Sequence, residues 1–274
     1  MSNRALIHPL SARVVTLALR MGLSPNQLSL LGLTCGLVAA LAYYRLPEPA
    51  YVMAGLGLML GWHVLDGADG RLARLTGSAS PLGRLIDGLC DHVVFLGVYV
   101  ALAFSLVAAG WGFEVWPLAL GAGLSHLLQA ASYEERRQKY QRRVKGQARL
   151  NMAQTGMAAR SIAAQLARLY DLGQRVAAGG NPGFDALLAS LAAGKTMQSH
   201  ALRESLLRKY ALIVRLWSAL NSNNRSFAIA LFAVIARPDL YFWYELIVLN
   251  VLFLMLCLGE ALFEQRAQRV MTVV

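Results

Sequence analysis

The chain has 274 residues, 57% of them hydrophobic, and carries 26 Lys and Arg against 15 Asp and Glu for a formal net charge of +11. Soluble domains are about 45–50% apolar, so this excess, gathered in long blocks, excludes an ordinary water-soluble fold and is the pattern of transmembrane helices. The basicity then reads as loops beside anionic lipid and not as a nucleic-acid surface, and the widely spaced Cys35, Cys90 and Cys257 form neither a zinc motif nor a disulfide framework.

Residues 8–22 place Leu10, Val14, Leu17 and Met21 at helical spacing, interrupted by Arg13 and Arg20. This predicts a short amphipathic helix on the membrane surface. The segment lacks the continuous apolar core and cleavage site of a signal peptide. Ser24-Pro25-Asn26 breaks the chain before a first apolar block, 28–44, and Pro47 and Pro49 mark a turn. A second block, 51–65, runs directly into Asp66, and a polar Gly/Ser stretch, 67–83, follows. Third and fourth blocks cover 92–110 and 115–131. A fifth, 226–236, is too short alone to cross about 30 Å of hydrocarbon. It reaches the required length by extending back through 212–220, with polar 221–225 facing protein or water. The sixth is 240–262.

The expected fold is an all-α integral membrane protein with six transmembrane helices, an N-terminal amphipathic surface helix and a helical cytoplasmic insertion between spans four and five. It is expected to be a single membrane domain over 1–274. Segment 1–27 is amphipathic, 28–131 holds spans one to four, 132–225 is the basic insertion, and 226–274 holds the last two spans and the tail. Charge placement supports the topology: with the N-terminus in the cytoplasm, only Arg45 and Arg237 of the 26 Lys and Arg residues fall outside the cytoplasmic segments. That arrangement puts the N-terminus, the C-terminus and residues 66–91 on the cytoplasmic face of the inner membrane. The insertion carries 16 Lys and Arg against five acids, has helical composition at 157–170 and 201–216, and breaks at 179–183. Two helical pieces at the membrane surface are expected there.

Asp66 and Asp69, three residues apart, share one helix face, and Asp87 and Asp91, four apart, share another. Two helix ends thus present four carboxylates to each other. Carboxylates at a bilayer are costly unless paired or functional. Hard divalent cations, Mg²⁺ or Mn²⁺, resolve the repulsion and in turn bind a substrate diphosphate. Gly70 and Ala73 leave room for a ligand against the backbone, and Arg74 supplies charge for a phosphate.

The pattern D-x2-D-G-x2-A-R-x8-G-x3-D-x3-D is carried by Asp66, Asp69, Gly70, Ala73, Arg74, Gly83, Asp87 and Asp91. It resembles the defining motif of the CDP-alcohol phosphotransferases, and the resemblance covers residues 20–132 well and the last two spans loosely. The resemblance implies two Mg²⁺ or Mn²⁺ ions on Asp66, Asp69 and Asp87, with Asp91 contributing. It also implies that Gly70, Ala73, Arg74 and Gly83 line the CDP moiety, and that Asp91 is the general base for the attacking hydroxyl as CMP leaves. The partners it implies are a CDP-linked donor and an alcohol acceptor, one of them a lipid, together with membrane lipids and a homodimeric second copy. In one arrangement CDP-diacylglycerol gives a phosphatidyl group to a small alcohol, a reaction of phospholipid synthesis favoured by the compact size. In the other a CDP-aminoalcohol gives phosphocholine or phosphoethanolamine to a lipid alcohol, the branch that residues 76–83 resemble. A non-catalytic lipid-binding protein is the remaining alternative, against which the presence of all four aspartates argues.

Other polar residues have two readings each. His63, His92 and His126 read as packed, hydrogen-bonded histidines ahead of catalysts. Asn26 either touches the diphosphate or caps the first span. The basic run 136–149 is either a solvated anchor on anionic lipid or a source of cations, Lys139 and Arg142 among them, for a phosphate on the acceptor. Asn224 and Arg225, in the polar run that opens the fifth span, either line the acceptor site or belong to a helix cap.

Overall fold

The computed structural model describes residues 7–146, 181–194 and 196–272. The helix expected at 157–170 and residues 179–180 of the break at 179–183 lie outside the described residues. Among the described residues every regular element is helical.

Helix α1 (His8–Met21) closes at Gly22, whose φ of 68° lets its N–H reach the carbonyls of Ala18 and Leu19. The face it buries is Ser11, Val15 and Ala18. The apolar stripe marked in the sequence points elsewhere, with Leu17 56% and Met21 63% exposed. The small residues of α3 (Pro49–Leu75) explain this. Val15 and Ala18 pack with Ala68 and Leu72, Ser11 Oγ lies 2.9 Å from the Val64 carbonyl, and a Cβ on Gly67 would come within 2.8 Å of that Oγ. The helix is thus docked on protein along one side and apolar along another.

Helix α2 (Pro25–Tyr44) starts at a capping box: Gln27 N–H donates to Ser24 Oγ at 3.3 Å, and Ser24 N–H donates to Gln27 Oε1 at 2.8 Å. Ser24 is therefore the cap, which corrects the reading of Asn26 in that role; Asn26 is exposed in the first turn. Helix α3 ends at Thr76, Gly77 turns the chain with φ 66°, and Ser80 caps α4 (Pro81–Ala108) by accepting from Gly83 N–H at 3.0 Å. Helices α2, α3 and α4 pack closely. A Cβ on Gly36 would overlap Val94, and one on Gly55 would lie 2.8 Å from the Tyr43 ring. Trp62, Phe95, Tyr99, Leu102, Ile229, Tyr241 and Phe242 belong to the core of this part.

The remaining elements are α5 (Val115–Lys145), α6 (Pro182–Ala193), α7 (Met197–Trp217), a 3₁₀ turn (Ser218–Leu220), α8 (Ser222–Val234), α9 (Pro238–Trp243), a π-turn (Tyr244–Leu249) and α10 (Asn250–Thr272). The fifth expected span is not one helix. Asn221 is extended, with φ −79° and ψ 158°, between the 3₁₀ turn and α8. The Ser and Asn side chains around it compete for backbone hydrogen bonds and stop the helix. Helix α8 alone, at 13 residues, is about 20 Å long. Among the described residues, three stretches are long and apolar enough to cross a membrane: Pro25–Tyr44, Ile86–Ala108 and Pro238–Arg269.

The chain divides into two compact units. The first joins Met1–Ser125 to Ser222–Leu246 and contains the carboxylate motif. The second joins His126–Asn221 to Ile247–Val274. Its interior is unusually charged. Arg136 donates to Glu260 at 2.5 Å and lies 3.7 Å from the Trp217 ring centroid, and Lys139 sits 3.4 Å from Glu264. Arg143 meets Asp185 at 2.7 Å and Glu264 at 2.8 Å, between the rings of Phe184 and Tyr210. The basic run is thus no solvated anchor at Arg136, Lys139 and Arg143, which are buried because α6, α7 and α10 cover their face of α5, with Asp185, Glu260 and Glu264 as counter-charges.

Candidate active site

The carboxylates come from two helix ends joined by the short turn at Gly77. Helix α3 carries Asp66 and Asp69 near its C-terminus, and α4 carries Asp87 and Asp91 in its second and third turns. The expected shared faces meet around one cavity, lined by Ser29, Gly32, Trp62, Asp66, Asp69, Asp87, Cys90 and Asp91. Asp66, Asp69 and Asp87 each offer an oxygen within 4.8 Å of the others. Asp91 lines the same cavity outside that trio.

Burial sets the electrostatics. Asp69 is 4% exposed, and desolvation pushes its carboxyl up to about 6. The Ser29 hydroxyl, which donates to Asp69 Oδ2 at 2.5 Å, the Gly70 N–H and the Arg74 charge pull the other way. Asp66 is held well above the usual carboxylate range, first by desolvation and then by the nearby Asp91 and Asp69. With Asp87 beside them, Asp66 and Asp69 form a hard-oxygen set that fits a divalent cation, whose charge would reverse these two shifts.

Of the residues expected along the CDP moiety, Gly70 lies on the same turn as Asp69, and a Cβ there would be 3.4 Å from Arg74 Nη1. The bare backbone lets the guanidinium fold along the helix toward Asp69. Arg74 also lines an open groove between α1 and the end of α3, with Arg71, Ala12, Val15, Leu19 and Leu75. Ala73 is partly buried on the last turns of α3, and Gly83 sits in the first turn of α4 against Ser80. Asn26 does not line the cavity.

The residues expected at the acceptor have other surroundings. Arg225 is 1% exposed and its guanidinium grips Glu245, with Nε and Nη2 donating at 3.1–3.2 Å. Lys139 pairs with Glu264 and Arg142 with Glu135, both in the second unit. Asn224, beside Arg225, is exposed. Two histidines are hydrogen-bonded as expected: His63 Nε2 shares a bond with Ser226 Oγ at 2.8 Å, and His92 Nδ1 meets the Gly88 carbonyl. Ser29, Gly32 and Trp62 are cavity residues that motif spacing misses, because they reach the site through helix packing; the nearest signal is that Ser29 lies one turn beyond the Ser24-Pro25 break.

The sequence profile described as CDP-alcohol phosphatidyltransferase matches residues 22–178, more than half of the chain. The chain belongs to the CDP-alcohol phosphatidyltransferase family. It is 37% identical to human cholinephosphotransferase 1 over 94 residues, which cover 31% of this chain and 23% of that protein. It is 34% identical to the archaetidylinositol phosphate synthase of Pyrococcus horikoshii over 83 residues, 30% of this chain and 42% of that one. An uncharacterised class-I family member of Dictyostelium discoideum is 49% identical over 49 residues, 18% and 12% of the two chains. The chain therefore spans less than half the length of these curated relatives. No solved structure matches it. Within the family match, the four motif aspartates line one cavity.

Proposed function

We propose that this protein transfers a substituted phosphate from a CDP-linked donor to an alcohol, releasing CMP, at the cavity between α3 and α4. The observation that carries the proposal is the convergence of the motif carboxylates, three of them within 4.8 Å of one another. Asp66, Asp69 and Asp87 would hold Mg²⁺ or Mn²⁺, with Asp91 at the edge of the set. When bound, the metal supplies positive charge for the diphosphate and for the departing CMP.

The chain's own residues do the rest. Ser29 orients Asp69 and favours its ionised form. Gly70 and Ala73 keep the backbone bare where the CDP moiety lies, and Arg74 balances phosphate charge. Asp91 takes the proton from the attacking hydroxyl. A carboxylate that binds a metal strongly is a weak base, so its place outside the trio suits that role. The attacking oxygen then bonds to the phosphorus distal to cytidine, and the P–O bond to CMP breaks.

In the first reading the donor is CDP-diacylglycerol and the acceptor a small alcohol. The groove that joins apolar Val15, Leu19 and Leu75 to Arg71 and Arg74 supports it, since that mixture suits a lipid-linked phosphate. The second reading, a CDP-aminoalcohol and a lipid alcohol, is supported by the likeness to cholinephosphotransferase 1. In both, the charge asymmetry of the sequence favours a cytoplasmic site in the inner membrane. Purified protein with Mn²⁺ or Mg²⁺ should release CMP from one class of donor in a panel crossed with alcohols, and EDTA should abolish it. Silence with every pair would overturn the enzyme reading in favour of a lipid-binding protein.

A further inference from the structure

A second polar cluster lies in the first unit, inside its apolar core and apart from the cavity. Arg225 and Glu245 are 1% and 0% exposed in their side chains. Charges buried among apolar spans are costly, and such a pair contributes little net stability over hydrophobic residues of the same shape. What it does provide is a fixed geometry. Besides the Arg225 fork, Glu245 Oε2 accepts from Tyr241 Oη at 3.1 Å. Tyr99 Oη lies 2.9 Å from Tyr241 Oη and 3.3 Å from Glu245 Oε2, and donates to one of them. Glu245 also sits in the Tyr244–Leu249 π-turn, a rare winding that concentrates at functional sites.

These contacts lead to both carboxylate-bearing helices. Tyr99 is on α4, two turns beyond Asp91. Ser226, next to Arg225 on α8, is bonded to His63, one turn before Asp66 on α3. Trp62 lies between the two cross-ties. Its ring lies tilted against His63 with centroids 4.3 Å apart, meets Phe95 of α4 edge-on at 5.4 Å, and lines the carboxylate cavity.

We infer that Glu245, Arg225, Ser226 and His63 are positioning residues that brace α3 against α4 from the α8 side, so that the buried ion pair sets the separation of the metal-binding carboxylates. None of them lines the cavity. They act on Asp66 and Asp87 through the helices that carry them, and loss of residues that orient metal ligands commonly weakens metal affinity about 10–100-fold. The inference rests on the metal reading of the cavity.

The test is Mn²⁺ titration of detergent-purified protein, followed by the electron paramagnetic resonance signal of the free ion. Glu245→Gln should raise the Mn²⁺ dissociation constant about tenfold. Ser226→Ala and Tyr99→Phe should each raise it about fivefold, the effect of one lost hydrogen bond. Glu260→Gln, which disturbs a comparable contact in the second unit where Glu260 accepts from Arg136 and from Tyr210 Oη at 2.7 Å, should lower the melting temperature and leave Mn²⁺ binding at the wild-type value. Folded variants of the first unit with wild-type Mn²⁺ affinity would overturn the brace. Should Glu245→Gln not fold, the two single-bond variants decide by the same criterion. A wild-type protein that binds no Mn²⁺ would overturn the metal reading itself, and the brace with it.

Discussion

With so little of its surface exposed, Asp69 depends on Ser29, Gly70 and Arg74 to stay ionised, and burial still pushes its carboxyl up to about 6. An unfolded aspartate titrates near about 4. The folded chelated protein therefore binds this proton more tightly than the unfolded chain does. The stability so gained is fully present below about 4 and is lost as pH rises through about 6. In EDTA the melting temperature should fall between pH 5 and pH 7.5, and Mn²⁺ at pH 7.5 should restore it; a flat profile would contradict the burial. Ser29→Ala should weaken Mn²⁺ binding most at pH 6–7, since the lost hydroxyl leaves Asp69 holding its proton longer. Asp91→Asn should cut CMP release by about 10²-fold or more while Mn²⁺ affinity stays within a few-fold, as expected for loss of a general base; Asp69→Asn should lose both. The motif aspartates are readable in the sequence because their spacing is local, three and four residues on one helix. Ser29 and Glu245 are not, because their partners lie 40 and 20 residues away in Asp69 and Arg225.

At the scale of elements, most helices follow from apolar blocks and from the breaks at Ser24-Pro25 and Pro49, while the starts of α4 at Ser80-Pro81 and of α9 at Pro238 emerge with the structure. Those signals place the carboxylates at the end of α3 and the start of α4 before any tertiary contact is considered. Where the sequence misleads, the cause is packing. The buried face of α1 is chosen by the small residues of α3, so Ser11 goes inside while Leu17 and Met21 do not. The basic run on α5 looks solvated because its counter-charges, Glu260 and Glu264, are far along the chain. Close helix contacts offer a direct check. Gly36→Leu would drive its side chain into Val94 and should cost about 1–3 kcal/mol of stability by overpacking, seen as a lower melting temperature. Wild-type melting would show that α2 and α4 are not packed as described.

The whole molecule is two units with different interiors, one apolar around a polar site and one charged. In the second unit Arg143 holds α6 through Asp185 and Phe184, and is itself paired with Glu264 of α10. Breaking a buried pair by removing one partner typically costs about 3–5 kcal/mol. Arg143→Met should therefore expose α6, and limited proteolysis should cut first within 181–194; cleavage unchanged from wild type would refute that latch. In the first unit, α1 has its own large-scale consequence. Protein under one face and an apolar stripe on another support the proposal that α1 links the bilayer surface to Gly67, the residue beside Asp66. On that proposal, lateral pressure among lipid headgroups reaches the carboxylate cluster, so turnover should vary with membrane packing at constant substrate. Leu17→Ser with Met21→Ser should flatten that dependence without changing Mn²⁺ affinity.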